Sequence, residues 1–144
     1  MRFMILRKAD EDTEAGAPPG EELIAAMGAY MGSLLKAGVL LAADGLQPTS
    51  KGARVTFSGG RPTVTDGPFA EAKELVAGWA LIQATSREEA VEWAKRWPPE
   101  DGGGKVELEV RQVFEPGDFG EDFAHQRPEG RERMRAQAAA RQQR

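Results

Sequence analysis

The sequence has no cysteine and a single histidine, His125. The absence of cysteine excludes disulfides, thiolate metal ligands, iron–sulfur clusters and a cysteine nucleophile. One histidine excludes any site that takes two imidazoles from one chain, and neither a metal site nor a cofactor is expected. Apolar runs are also short: none approaches the ~20 residues of a membrane span, and the start of the chain lacks a secretory signal. We therefore expect a cytoplasmic protein without membrane contact.

Charge is unevenly distributed along the 144 residues. The net charge is −4, but residues 127–144 carry six arginines against two glutamates, so the first 126 residues sum to −8. A basic tail on an acidic body is one pattern of nucleic-acid binding. This tail has no aromatic residue for stacking on bases, and its Arg, Glu, Gln and Ala residues favour helix. We therefore expect a solvated, partly helical extension, and nucleic acid is not an expected partner.

The spacing of apolar residues predicts six strands and two main helices. An apolar stripe with a period near 3.6 indicates the first helix, and Gly38 is placed to end it. Ser86 and Glu89 form a capping-box pattern at the start of the second, and Gly59-Gly60 predicts a hairpin turn. Strands are predicted at residues 2–8, 39–46, 53–58, 61–65, 78–84 and 106–111, helices at 21–36 and 86–97, a short helical stretch at 70–76 and a polar loop at 9–20.

The order of these elements predicts an α+β fold, a ferredoxin-like βαββαβ sandwich with a hairpin insertion. Its two helices cover one face of a four-stranded sheet. The first strand, however, has Phe3 and Ile5 on one side and Met4 and Leu6 on the other, so both sheet faces need cover. A second copy packed face to face supplies it, and we predict a homodimer through the sheet faces.

One eleven-residue stretch is specific enough to indicate a family. Residues 64–74 (VTDGPFAEAKE), followed by Gly78-Trp79, resemble the DGPF domain family of YCII-related proteins. The resemblance covers residues 1–114 and leaves residues 115–144 as an Arg-rich extension. It implies a dimeric α/β barrel of ferredoxin-like subunits, in agreement with the packing argument.

The resemblance also implies two kinds of function. Some YCII-related proteins are small-molecule enzymes, including dechlorinating ones, that use a paired His and Asp in a cleft. Other DGPF domains accompany sigma-factor-like regulators, which implies ligand sensing or an accessory role. The first predicted helix of this chain has no histidine, and His125 lies outside the matched region.

Asp66 is the candidate catalytic residue. A carboxylate at a strand end beside a Gly-Pro turn can be partly desolvated, as a general base requires. The alternative is an Asx turn, in which the side chain binds nearby backbone N–H groups.

Four further residues are candidate ligand-binding residues, each with a structural alternative. Arg54 is a possible clamp for a carboxylate or an exposed strand residue, and Phe69 lies on the turn next to Asp66. Glu71 and Lys73 form either a polar rim or a solvated surface with near-neighbour ion pairs. Aromatic residues that could line an apolar pocket, or belong to the core or dimer interface, are Tyr30, Phe69, Trp79, Trp93 and Trp97.

These observations predict a dimeric protein that binds a small organic ligand in a cleft between helices and sheet. Proton transfer at Asp66, of lyase or isomerase type, is the enzymatic hypothesis. The alternative is a non-enzymatic ligand-sensing or protein-interaction module linked to transcription regulation.

Overall fold

The computed structural model describes residues 1–120 and 128–142; the single histidine, His125, lies outside them. The chain divides into two compact units, Met1–Gln112 and Val113–Arg144. No helix within the described ranges is long and apolar enough to cross a membrane. The second unit contains a short 3-10 turn at Pro116–Phe119 and a polar helix, α4, at Pro128–Gln142.

The first unit contains six strands, two main helices and one short helix. The predicted order of strands and main helices is confirmed. The elements are β1 Arg2–Lys8, α1 Glu11–Glu14, α2 Glu21–Lys36, β2 Leu40–Gly45, β3 Ala53–Ser58, β4 Arg61–Asp66, β5 Val76–Gln83, α3 Arg87–Ala94 and β6 Leu108–Gln112.

Two local predictions were wrong. The stretch predicted as helical over 70–76 forms only a 3-10 turn, Ala72–Glu74, because β5 already begins at Val76 and pairs with β1 there. The predicted loop over 9–20 contains the four-residue helix α1. Asp10 is the N-cap of this helix: its side chain accepts a hydrogen bond from the backbone N–H of Thr13. The polar composition of the segment hid this cap from the sequence-based prediction.

The predicted capping box of the second main helix is only half formed. The Ser86 hydroxyl accepts the Glu89 backbone N–H at 3.1 Å, as predicted. The Glu89 carboxylate instead accepts the Thr85 backbone N–H at 2.7 Å, one residue further upstream. α3 also ends at Ala94, before the predicted end at Trp97. At the end of α2, Gly38 adopts a φ of +73° and donates to the Leu35 carbonyl, as its position in the sequence predicts.

The main sheet has the strand order β2-β5-β1-β6, and every neighbouring pair is antiparallel. β1–α2–β2 and β5–α3–β6 are therefore two βαβ halves whose strands interleave. This arrangement agrees with the predicted ferredoxin-like topology. β3 and β4 form a separate two-stranded sheet inserted between the halves, with Val55 opposite Val64.

Alternation along the strands separates the two faces of the main sheet. Phe3, Ile5, Ala80 and Ile82 are almost completely buried on the face that carries the helices. They pack with residues of α2 and α3, namely Tyr30, Leu34, Ala90 and Ala94. The opposite face carries Met4, Leu6, Trp79 and Leu81, which are half-buried in the single chain.

Candidate functional site

An arginine lies on the core side of the central strand. Along β1 the buried positions alternate as Phe3, Ile5 and Arg7, so strand parity directs Arg7 toward the interior. Only 5% of Arg7 is exposed. A guanidinium at that depth is stable only when it is paired and hydrogen-bonded.

Four side chains, which we call the Arg7 network, provide this compensation: Arg7, Asp10, Trp97 and Asp101. Asp101 accepts two hydrogen bonds from Arg7, 3.1 Å from Nε and 2.7 Å from Nη2. Arg7 Nη2 also donates to Asp10 Oδ2 at 3.1 Å, and Nη1 donates to the Lys8 carbonyl at 2.8 Å. The Trp97 indole N–H donates to Asp101 Oδ2 at 2.8 Å. This geometry fixes the plane of the guanidinium.

The segment after α3 brings Asp101 to Arg7. Asp101 begins a 3-10 turn whose next two residues, Gly102 and Gly103, have φ values of 58° and 64°. A Cβ on Gly102 would lie 2.8 Å from Val106 Cγ2 and 3.4 Å from Arg7 Nη2. Glycine is thus required at position 102 by the positive φ and favoured there by the close approach of the Val106 side chain.

Opposing effects act on the ionisation of the network. Burial alone would raise the pKa of Asp101, but hydrogen bonds from Arg7 and Trp97 and the Arg7 charge outweigh it, so the pKa of Asp101 is lowered. Burial would also raise the pKa of Asp10, and hydrogen bonds from Thr13 together with the Arg7 charge lower it instead. Burial would lower the pKa of Arg7, yet bonds and attraction from Asp101 and Asp10 raise it. All three groups are therefore charged at neutral pH.

The Arg7 network lies at one side of a groove of about 1240 Å³, which we call the Arg7 groove. Its apolar wall is formed by Leu23, Met27 and Met31 of α2. Segments 10–20 and 43–48 contribute further lining, and Trp79 and Trp97 are the tryptophans among the described lining residues. Of the aromatic residues considered for a pocket, Trp79 and Trp97 thus line the groove. Tyr30 packs against Trp97 with ring centroids 5.5 Å apart.

Asp66 does not lie among the described lining residues of the Arg7 groove. It ends β4 opposite Ala53 and is exposed. Its side chain makes no hydrogen bond within residues 1–120, so the predicted alternative of an Asx turn is not formed there. The turn is held by its backbone instead. Gly67 N–H donates to the Gly52 carbonyl at 3.0 Å, and a Cβ on Gly67 would lie 1.7 Å from the Thr49 carbonyl oxygen.

Two of the predicted ligand-binding residues contact each other. The Arg54 guanidinium carbon lies 3.9 Å from the centre of the Phe69 ring, a cation–π contact. Phe69 N–H donates to Thr49 Oγ1 at 3.1 Å, and Thr49 Oγ1 donates to Glu14 Oε2 at 2.6 Å. Arg54 is therefore occupied by Phe69, and Thr49 ties this turn to Glu14, the last residue of α1.

The remaining predicted site residues are exposed. Glu71 adopts a left-handed conformation with φ 62° at the start of the Ala72–Glu74 turn, and Lys73 lies within that turn. Neither side chain forms an ion pair with a described residue, so the near-neighbour pairs that the sequence suggested are not seen.

Arg7, Asp10 and Asp101 were not among the site residues predicted from the sequence. The sequence did contain a signal for Arg7. It lies two residues after Ile5 and four after Phe3, so it points to the same buried face, where its charge needs an anionic partner. Nothing in the sequence identified its partners among the many acidic residues. The part of the chain that the structure describes holds no group of three or more His, Cys, Asp or Glu side chains arranged for a metal ion.

The chain is similar to proteins of one family over most of its length. The family model of the YCII-related domain matches residues 1–115. An uncharacterized protein of Rhizobium meliloti (strain 1021) is 31% identical over 100 residues, which cover 69% of this chain and 81% of the relative. The chain belongs to the YCII-related family.

A solved structure with a similar fold is 5-chloro-2-hydroxyhydroquinone dehydrochlorinase from Burkholderia phenoliruptrix in complex with 2,5-dihydroxybenzoquinone. The similarity covers 84% of this chain and 100% of that one, with a TM-score of 0.45 and 16% sequence identity.

Proposed function

We propose that this protein binds a small organic molecule in the Arg7 groove. The observation that carries the proposal is the combination of a groove of about 1240 Å³, an apolar wall from α2 and a rigid polar network at its side. Ligand sites are typically apolar concavities of about 300–1,000 Å³ with a few fixed polar groups, so this groove is at the large end and holds a small molecule without being filled.

The network supports binding better than it supports proton transfer. Asp10 and Asp101 hold lowered pKa values and are bonded to Arg7, so a proton transfer through either would break the pairing of a buried charge. Four of the five Arg7 N–H groups already donate hydrogen bonds to Asp10, Asp101 and the Lys8 carbonyl. The groove therefore favours a ligand-sensing or accessory role, the non-enzymatic alternative drawn from the sequence.

Proton transfer at Asp66, of lyase or isomerase type, is the second candidate function. It is favoured by an exposed carboxylate whose side chain has no hydrogen-bond partner within residues 1–120. The Arg54–Phe69 contact lies next to this carboxylate in the hairpin, because Arg54 pairs with Thr65, the residue before Asp66. This candidate function assumes that the chain belongs to the DGPF branch of the family, a proposal that rests on the motif at residues 64–74.

We also propose that two chains pair through the exposed face of the main sheet to form a dimeric α/β barrel. Met4, Leu6 and Leu81 lie together on that face, and all three keep part of their surface exposed in the single chain. Light scattering during size-exclusion chromatography tests it: we expect a dimer at micromolar concentration, and Leu81→Lys should give a folded monomer. A wild-type monomer at that concentration contradicts the proposal.

The three tryptophans allow a direct test of ligand binding. We would titrate phenethyl alcohol, a neutral aromatic probe, and follow the three indole N–H resonances by NMR. The Trp97 indole N–H, which donates to Asp101 of the Arg7 network, should shift, whereas Trp93 does not line the groove and serves as an internal control. Movement of Trp93 alone, or of no indole, would contradict the proposal.

Neighbouring residues of α2 supply a matched pair of variants. Leu23 lines the groove, while Ile24 does not and is 58% exposed. Leu23→Ser should weaken probe binding about tenfold, from the loss of one buried leucine contact. Ile24→Ser should leave binding unchanged, and equal effects of the two substitutions would mean that the probe binds elsewhere.

A further inference from the structure

The charges around the Arg7 groove are strongly unbalanced. Among its described lining residues, six carry carboxylates and one carries a cation, Arg7. A basic neighbour, Lys51, reaches the rim with Nζ 3.3 Å from Oε1 of the lining residue Gln47. The carboxylates belong to Asp10, Asp12, Glu22, Asp44, Glu100 and Asp101.

Arg7 does not present its charge to a ligand. It is 5% exposed, and its N–H groups are bonded to Asp10, Asp101 and the Lys8 carbonyl. Four of its five N–H groups already donate to protein acceptors, so an anionic ligand would compete with the two carboxylates for them. The single charge of Arg7 offsets only one of its two carboxylate partners, and the groove stays negative.

The other four carboxylates are available to a ligand. All four are exposed, and none forms an ion pair with a residue that the structure describes. They come from different segments of the chain and surround the apolar wall of α2. They are Asp12, Glu22, Asp44 and Glu100.

A tryptophan adds a second preference for positive charge. The Trp97 indole, whose N–H donates to Asp101 of the Arg7 network, lies at the groove, and the face of an indole attracts a cation within about 6 Å of its centre. Met27 and Met31 offer polarisable apolar surface to the rest of such a ligand. A bare metal ion fits poorly, since the described residues present no cluster of three metal-ligating side chains.

We propose that the Arg7 groove selects organic cations, amines or quaternary ammonium compounds that carry an apolar or aromatic group, over neutral and anionic molecules of the same size. This inference rests on the proposed function, because it assumes that the groove binds small molecules. Excess negative charge raises the local concentration of cations, and the Trp97 indole and the apolar wall hold the remainder of the molecule.

Three probes that share one skeleton test the selection. Protonated phenethylamine, phenethyl alcohol and phenylacetate carry positive, zero and negative charge, and their binding is followed by the Trp97 indole N–H resonance. We expect phenethylamine to bind about tenfold more tightly than the alcohol and phenylacetate more weakly than either. The preference should shrink with added salt, which screens exposed charges.

Paired acidic residues provide a control for total charge. Asp12 and Glu22 line the groove, while their neighbours Glu11 and Glu21 do not, and all four are exposed. The double variant D12N/E22Q should reduce the preference for phenethylamine at least threefold, and E11Q/E21Q, which changes net charge equally, should preserve it. Equal reductions would show that the preference arises from overall charge and would overturn the proposal.

The outcomes separate this inference from the proposed function. If the alcohol or phenylacetate shifts the Trp97 indole resonance with an affinity equal to or higher than that of phenethylamine, the groove binds small molecules and the selection for cations is wrong. If none of the three probes shifts the Trp97 resonance, both the inference and the proposed function are wrong.

Discussion

The Arg7 guanidinium and the Asp101 carboxylate are joined by two hydrogen bonds, of 2.7 and 3.1 Å, across 94 positions of the chain. Both groups are buried, and Trp97 donates to the same carboxylate. The pair links the central strand to the turn after α3, so it holds the side of the Arg7 groove in place.

Removing one partner of this pair should be strongly destabilising. Arg7→Met leaves Asp101 buried without its cation, and we expect the free energy of unfolding to fall by about 3–5 kcal/mol. The double variant R7M/D101L removes both charges and should lose less than Arg7→Met alone. Urea denaturation measures both values, and a loss below about 1 kcal/mol for Arg7→Met would mean that the pair is not buried in solution.

Stability should fall in acid because of the same carboxylates. The pKa values of Asp101 and Asp10 are lowered in the folded chain, so the folded state favours their charged forms. Their contribution is complete above the unfolded pKa of about 4 and disappears as the pH falls through the lower folded values. Urea midpoints measured from neutral pH downward should drop below about pH 4, and Asp101→Asn should flatten that drop.

Tyr30 should limit stability in alkali. Burial raises its pKa to about 12, and its hydroxyl donates to the Trp93 carbonyl at 2.8 Å. Because the unfolded chain releases this proton near pH 10, the contribution of Tyr30 is complete below that pH and is lost as the pH rises toward 12. Tyr30→Phe should cost about 1 kcal/mol at neutral pH and remove this part of the alkaline transition. An unchanged alkaline midpoint in Tyr30→Phe would contradict the burial of the phenol.

Gly67 should not tolerate a side chain. A Cβ there would lie 1.7 Å from the Thr49 carbonyl oxygen, so Gly67→Ala forces the hairpin base apart. We expect a loss of about 3 kcal/mol, at the upper end of overpacking effects. Gly28→Ala is the control: it lies inside α2 with no atom within 4 Å of the added Cβ and should stabilise by about 0.5–1 kcal/mol. If thermal denaturation shows that both variants raise the stability, or that both lower it, the close approach of Gly67 to Thr49 is contradicted.

Asp66→Asn distinguishes a structural from a chemical role for the candidate catalytic residue. Its side chain has no hydrogen-bond partner within residues 1–120, so we expect the free energy of unfolding to change by less than about 0.5 kcal/mol. A ligand bound at this turn should nevertheless change its affinity in the variant, which calorimetry would detect. A loss of more than about 1 kcal/mol in stability would restore the Asx-turn interpretation.

Local regularities in the sequence were enough to predict the main elements. Alternation in β1 and β5, the stripe of α2, and Gly38 at its end depend on neighbours a few positions apart, and the structure confirms each. The shortest signals were less reliable. The stretch at 70–76 has helix-forming residues, but strand pairing with β1 takes Val76 into the sheet, because tertiary contacts outweigh weak local propensity.

The candidate site depended on contacts that local patterns do not encode. The alternation of β1 directs the charged side chain of Arg7 to the buried face of the sheet, so the fold requires an anion beside it. The sequence could not select Asp10 and Asp101 from 23 acidic residues. Only the folding of β1 against the turn after α3 made that choice, since a buried ion pair is defined by distance in space and by the exclusion of water. The sequence by itself determined the order of the elements and the family; the tertiary structure decided which charges are buried and where the groove lies.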